Sequence, residues 1–169
     1  MIIPPFPLLG EPGELDALTL IAETCFLEAD GEPTDGILGV AWVIRRRAVD
    51  WGFGWHKAIL GPDAKAYDPA QPFEPFSCWN ADYKVRAGAR LSVASGRPVA
   101  EQHWRAAAGA LWSFLPDPVN GATHYLNPEV TKRIRGGTFP SWAADKIDPT
   151  KLNTTLIRAT IGRHVFLKA

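Results

Sequence analysis

At 169 residues the chain is long enough for one sizeable hydrophobic core and short for two. With 46% hydrophobic residues, 21% charged residues and a net charge of zero it has the make-up of an ordinary globular domain. Nothing points to a nucleic acid partner, since the longest basic run, Arg45-Arg46-Arg47, falls at a helix end where cations are favoured, and no apolar run approaches the length that spans a bilayer.

Residues 1–13 are apolar but broken by Pro4, Pro5, Pro7 and Pro12 and lack a basic start. They read as a tail rather than a signal peptide, with residues 14–169 as a single domain. Leu15, Leu18, Ile21, Ala22, Cys25 and Phe26 then recur at three- and four-residue spacing, which predicts a helix of roughly four turns with one apolar stripe. Gly31 suits its left-handed C-cap and Pro33 the first turn of the next helix. Glu28 therefore falls in a last helical turn, where unpaired carbonyls disfavour negative charge. Glu23, Asp30, Glu32, Asp35 and apolar neighbours push the same way, favouring the protonated carboxyl that a general acid requires. A merely solvated acidic turn fits the same composition.

Pro33 to about Ala48 reads as a second helix, with Ile37, Val40, Ala41 and Ile44 on one face and Leu38, Trp42 and Val43 widening it almost all round, as a central helix requires. Residues 54–60 suggest a short helix, and the Pro and Gly spacing over 61–75 argues for a long ordered loop, a length that in a compact domain is usually either functional or disordered. After the segment from Phe76 to Tyr83, a helix is expected over 81–94. A further one follows from Val99 to Leu115, with His103, Ala106, Ala107, Ala110, Leu111 and Phe114 on one face. Thr123 to Leu126 reads as a strand ended by Asn127-Pro128, and Leu156 to Leu167 as a second strand interrupted at Gly162. The class that results is α+β, mainly helical, with a small β-sheet or hairpin in the C-terminal half.

The four histidines show no metal-ligand spacing, and the acidic residues at 28, 30, 32 and 35 do not fit a calcium loop, so no metal or cofactor is expected. There is no phosphate-cradling glycine loop and no G-x-S-x-G elbow. Cys25 lies on the apolar stripe and Cys78 has no activating base beside it in sequence; whether they pair is not legible. His124, Tyr125, Asn127, Trp142 and His164 fall beside strands and turns. Taken singly each fits a structural role; together they offer the hydrogen-bonding groups and aromatic faces of a sugar-binding cleft.

The run Glu28-Ala29-Asp30-Gly31-Glu32-Pro33, followed by Gly36, resembles the E-A-x-G-E-x-x-x-G opening of the SleB-like cell wall hydrolase family, which includes spore-cortex-lytic enzymes. Phe76-Ser77-Cys78-Trp79 is similar to that family's second block, and Asp117-Pro118 with Gly121-Ala122-Thr123-His124-Tyr125 and Asn127-Pro128 to its third. Ser141-Trp142-Ala143 and Ile161-Gly162-Arg163-His164-Val165-Phe166 resemble its closing elements. The resemblance implies a lysozyme-like fold and a lytic transglycosylase that cleaves peptidoglycan between N-acetylmuramic acid and N-acetylglucosamine, with its essential glutamate at Glu28. Ser77, Trp79, Asn80, His124, Tyr125, Asn127 and Trp142 are the candidate substrate-binding residues, with Glu32 and His164 in support. The chain departs from the family pattern in having Arg46-Arg47 where Asn-Arg is frequent, in Asp30, and in a longer 61–75 stretch.

On this reading Glu28 acts as acid and then as base, so that a muramic acid hydroxyl closes an anhydro ring, while Glu32 bonds backbone donors. A non-catalytic glycan-binding or virion structural module remains open, as does a peptidoglycan amidase or peptidase, which would want zinc or a Cys-His pair. A wall-cutting chain made in the cytoplasm without a signal peptide points to a bacteriophage lysin acting after a membrane lesion, or to a virion component with virion proteins as partners; a bacterial origin with non-standard export is the other expectation.

Overall fold

The computed structural model describes residues 15–61, 76–79 and 99–169. The expected tail over 1–13, the loop beyond Gly61 and the helix over 81–94 lie outside the described residues.

Helix α1 (Ala17–Ala29) starts at Asp16, whose carboxylate accepts the N–H and the hydroxyl of Thr19 at 3.0 and 2.7 Å. It stops as expected, with Gly31 at a φ of +84°. Helix α2 (Thr34–Val49) is the central element and packs on α1, on α3 (Trp55–Leu60) and on α4 (Glu101–Leu111). Its Ile37, Val40, Val43 and Ile44 are fully buried, each side chain contributing roughly 1.5–3 kcal/mol against the entropy of ordering the chain. At Gly39 a Cβ would lie 2.7 Å from Val119 and 2.8 Å from Phe166, so the missing side chain is what lets α2 lie against the sheet.

The helix predicted from Val99 to Leu115 is shorter than its spacing suggests. α4 ends at Leu111, Ser113 takes a φ of +58°, and the helical period is lost before Phe114, which is 59% exposed instead of buried. Asn127-Pro128 ends the strand β1 (His124–Leu126) as expected, and it also opens a helix the spacing does not predict, α5 (Pro128–Ile134). The Asn127 side chain accepts the N–H groups of Glu129 and Val130 at 3.1 and 3.2 Å, and proline at the first helical position has no N–H to lose there.

The last predicted strand is a hairpin, β2 (Ile157–Ile161) and β3 (His164–Leu167), turning at Gly162. The sheet is antiparallel in the order β1-β3-β2, with Tyr125 opposite Phe166 and Ile161 opposite His164. Alternation along the strands gives it two faces. Tyr125 and Phe166 join the helical core, while Leu126, Val165 and Leu167 pack with Phe139, Ala143 and Ala144 in a second cluster. The result is a mixed α+β fold, mostly helical, with a small three-stranded sheet late in the chain. No helix among the described residues is long and apolar enough to cross a membrane.

Candidate active site

Thr24 and Glu28 lie one turn apart on α1, and both reach the same short 3-10 turn, Ser77–Trp79. Thr24 Oγ1 accepts the indole N–H of Trp79 at 3.0 Å and donates to the Leu20 carbonyl at 2.7 Å. Glu28 Oε1 accepts the backbone N–H of Cys78 at 2.7 Å. Two bonds at helical spacing thus clamp the turn to α1 and orient the half-buried Glu28 carboxyl.

The other oxygen, Oε2, accepts the hydroxyl of Tyr125 at 2.7 Å. Burial, and then the nearby Glu28 carboxylate, push the Tyr125 phenol well above its ordinary value, so it remains a donor. Arg47 supports this wall from the last turn of α2: its Nε donates to the Thr123 carbonyl at 2.9 Å and its guanidinium lies 5.0 Å from the Phe76 ring. Burial lowers its affinity for the proton, and the nearby Glu28 charge opposes that. An arginine read only as a cation at a helix end is therefore also a buried post behind β1.

Glu28, Tyr125, His124, Trp142 and His164 line one groove of about 810 Å³. The His124 ring lies 4.6 Å from that of Trp142, and the His164 ring 5.1 Å edge-on to that of Tyr125. Burial, followed by the positive charge of Arg47, brings His124 down to about 4; burial also lowers His164, with Glu32 pulling the other way. Both imidazoles are mainly neutral at pH 7. Cys25 and Cys78 are free and buried, and burial followed by the Glu28 charge pushes both thiols up, which removes the thiolate that a nucleophilic cysteine requires.

Glu32 belongs to a different device. Its Oε2 accepts the backbone N–H of Arg163 at 2.9 Å and its Oε1 the Arg163 Nε–H at 2.5 Å, so it bonds a backbone donor of the β2–β3 turn and not of its own. Burial raises its pKa, but the Arg163 bonds and the nearby His164 and Arg163 charges outweigh that, and the net shift is downward. A Cβ at Gly162, whose φ is +57°, would overlap the Glu32 carboxylate.

No protein-family model matches the chain, and none of the curated proteins does. Among solved structures the chain matches the crystal structure of the catalytic domain of the Bacillus cereus SleB protein, with a TM-score of 0.52 and 21% identity over 90% of this chain and 89% of that one. The fold is similar to that of the SleB catalytic domain. The motif resemblance and the likeness of backbone path point to one fold by separate routes.

Within this SleB-like fold the candidate residues separate into groups. Glu28, His124, Tyr125, Asn127, Trp142, Glu32 and His164 all border the groove, although Asn127 also caps α5 and Glu32 is held by Arg163. Trp79 does not: it is 2% exposed, with its ring in the helical core and its N–H on Thr24, because its turn docks face-down on α1. The Ser77 side chain and all of Asn80 lie outside the described residues. Among the described residues no three His, Cys, Asp or Glu side chains are grouped to hold a metal ion. Sequence reading missed Arg47, and also Trp51 and Phe53, which stand on the groove wall. The pair of glycines around Phe53 was their one available signal.

Proposed function

We propose that this protein cleaves peptidoglycan glycan strands between N-acetylmuramic acid and N-acetylglucosamine, with Glu28 as the acid and base of a lytic transglycosylase. The observation that carries the reading is the position of Glu28: a carboxyl on a groove of about 810 Å³, oriented by the Cys78 N–H on one oxygen and the Tyr125 hydroxyl on the other. The likeness of fold to the SleB catalytic domain supports the same direction.

In the proposed reaction Glu28 gives its proton to the glycosidic oxygen as the bond to the muramic acid anomeric carbon breaks. The resulting carboxylate then takes the proton of that sugar's primary hydroxyl, whose oxygen bonds to the anomeric carbon and closes the anhydro ring. General acid and base assistance of this kind is worth about 10²–10⁴-fold. Glycosidases that use water or a covalent intermediate set a second carboxylate across the bond. Glu32 is poorly suited to that part, since both of its oxygens are engaged by Arg163. Asp35, the other acid near in sequence, is exposed in the first turn of α2.

Mass spectrometry of fragments released from purified peptidoglycan tests the reaction. Anhydro-muramic ends are the expected product. Reducing ends would turn the reading to hydrolysis, and a glycan that binds without new chain ends would turn it to a binding module.

A further inference from the structure

We infer that Trp51 and Phe53 form a stacking subsite for the glycan strand, extending the groove beyond the residues around Glu28. The inference rests on the reading of the groove as a glycan site. Four rings follow one another along its wall: Phe53 to Trp51 at 5.7 Å, Trp51 to His124 at 5.7 Å, and His124 to Trp142 at 4.6 Å. All four border the groove that holds Glu28. Trp51 is 41% and Phe53 42% exposed, so the strip offers two large apolar rings to solvent in the groove that also holds Glu28.

The loop that presents them is ordered by its own backbone. The chain leaves α2 through Trp51-Gly52-Phe53-Gly54, with φ of +68° at Gly52 and +73° at Gly54, and the Gly54 N–H bonds the Ala48 carbonyl at 3.0 Å. A Cβ at either glycine would meet nothing within 4 Å, so backbone conformation, not space, demands glycine. The turn sets the Phe53 ring edge-on to Trp51. The Arg47 guanidinium, 5.7 Å from the Trp51 ring, and the Lys57 ammonium, 5.0 Å from the Phe53 ring, help fix their orientation.

A row of rings of this sort suits a ligand of repeating flat units with apolar faces. An amino-sugar chain is one: each pyranose turns a face of C–H groups outward, and its acetamido methyl adds apolar area. A neutral imidazole at His124 belongs in such a row, since it stacks without adding charge.

The test is a titration of a glycan tetrasaccharide and of the corresponding disaccharide into the Glu28→Gln protein, followed by NMR of the indole N–H groups. The tetrasaccharide is expected to shift the Trp51 resonance. Adding Trp51→Ala or Phe53→Ala should weaken tetrasaccharide binding about three- to tenfold, with partial recovery in Trp51→Phe. Tetrasaccharide affinity unchanged by both alanine variants, with cleavage intact in the wild-type protein, would overturn the subsite alone. Binding that depends on Trp51 without cleavage by the wild-type protein supports the subsite and removes the proposed reaction. No binding of either sugar overturns both.

Discussion

The hydroxyl of Tyr125 donates to Glu28 at 2.7 Å although 97 positions separate the two residues in the chain. That bond ties the last turn of α1 to the first strand, so the Oε2 side of the carboxyl gains its donor only once the sheet has docked on the helices. Tyr125→Phe removes the donor and keeps the ring against His164 and Phe166. The expected result is a kcat about tenfold or more lower with the groove intact, in line with about 1.5–3 kcal/mol for a hydrogen bond to a charged group. Kinetics on soluble glycan strands check this, and an unchanged kcat would remove Tyr125 from the reaction.

Trp79 should behave as a core residue. Trp79→Phe leaves Thr24 without its indole donor in the buried interface between α1 and the 3-10 turn, at a cost of about 1–3 kcal/mol. A lowered Tm with an unchanged KM for glycan is expected from thermal melts and kinetics on the same preparation. A raised KM with an unchanged Tm would return Trp79 to the substrate.

The Glu32–Arg163 contact sets an acid limb on stability. Glu32 titrates below its ordinary 4.5 in the folded chain, so its stabilisation is fully present above that value and is lost as pH falls through the folded value. Glu32→Gln should lower Tm at pH 7 and flatten the fall of Tm between about pH 5 and pH 3. Asp16 and Asp117 are held low as well, so part of the acid limb should survive. An acid limb as steep as in the wild-type protein would deny the carboxylate this role.

His124 takes up a proton at about 4 rather than 6.5, so the unfolded chain protonates first and stability falls as pH drops from 6.5 through about 4. Its ring resonances are expected to stay flat from about pH 8 to pH 5 in an NMR titration. A midpoint near the ordinary value would show that burial and Arg47 do not disfavour the charged imidazole.

Much of this was legible in local spacing. The apolar stripe of α1, the Gly31 stop and the near all-round burial of α2 follow from the order of residues, and with them the place of Glu28 in a last turn. What escaped depends on partners far along the chain. Glu32 finds Arg163 across 131 positions, and the burial of Arg47 depends on Thr123, 76 positions away. Trp79 is polar-tipped and part of a candidate motif, which suits a ligand contact as well as a core ring; only the docking of its turn on Thr24 decides for the core. Asn127-Pro128 was ambiguous in another way, because a proline that cannot continue a strand is also well suited to begin a helix.

The most direct test of the account is the digestion of purified sacculi by the wild-type and Glu28→Gln proteins, matched by circular dichroism and Tm. The substitution keeps the size of the side chain and an acceptor for the Cys78 N–H while removing the transferable proton. The wild-type protein should release soluble glycan fragments, and the variant should release them at least about 10²-fold more slowly while still binding the wall. Release at the wild-type rate by a folded Glu28→Gln protein would contradict the central role of this carboxyl.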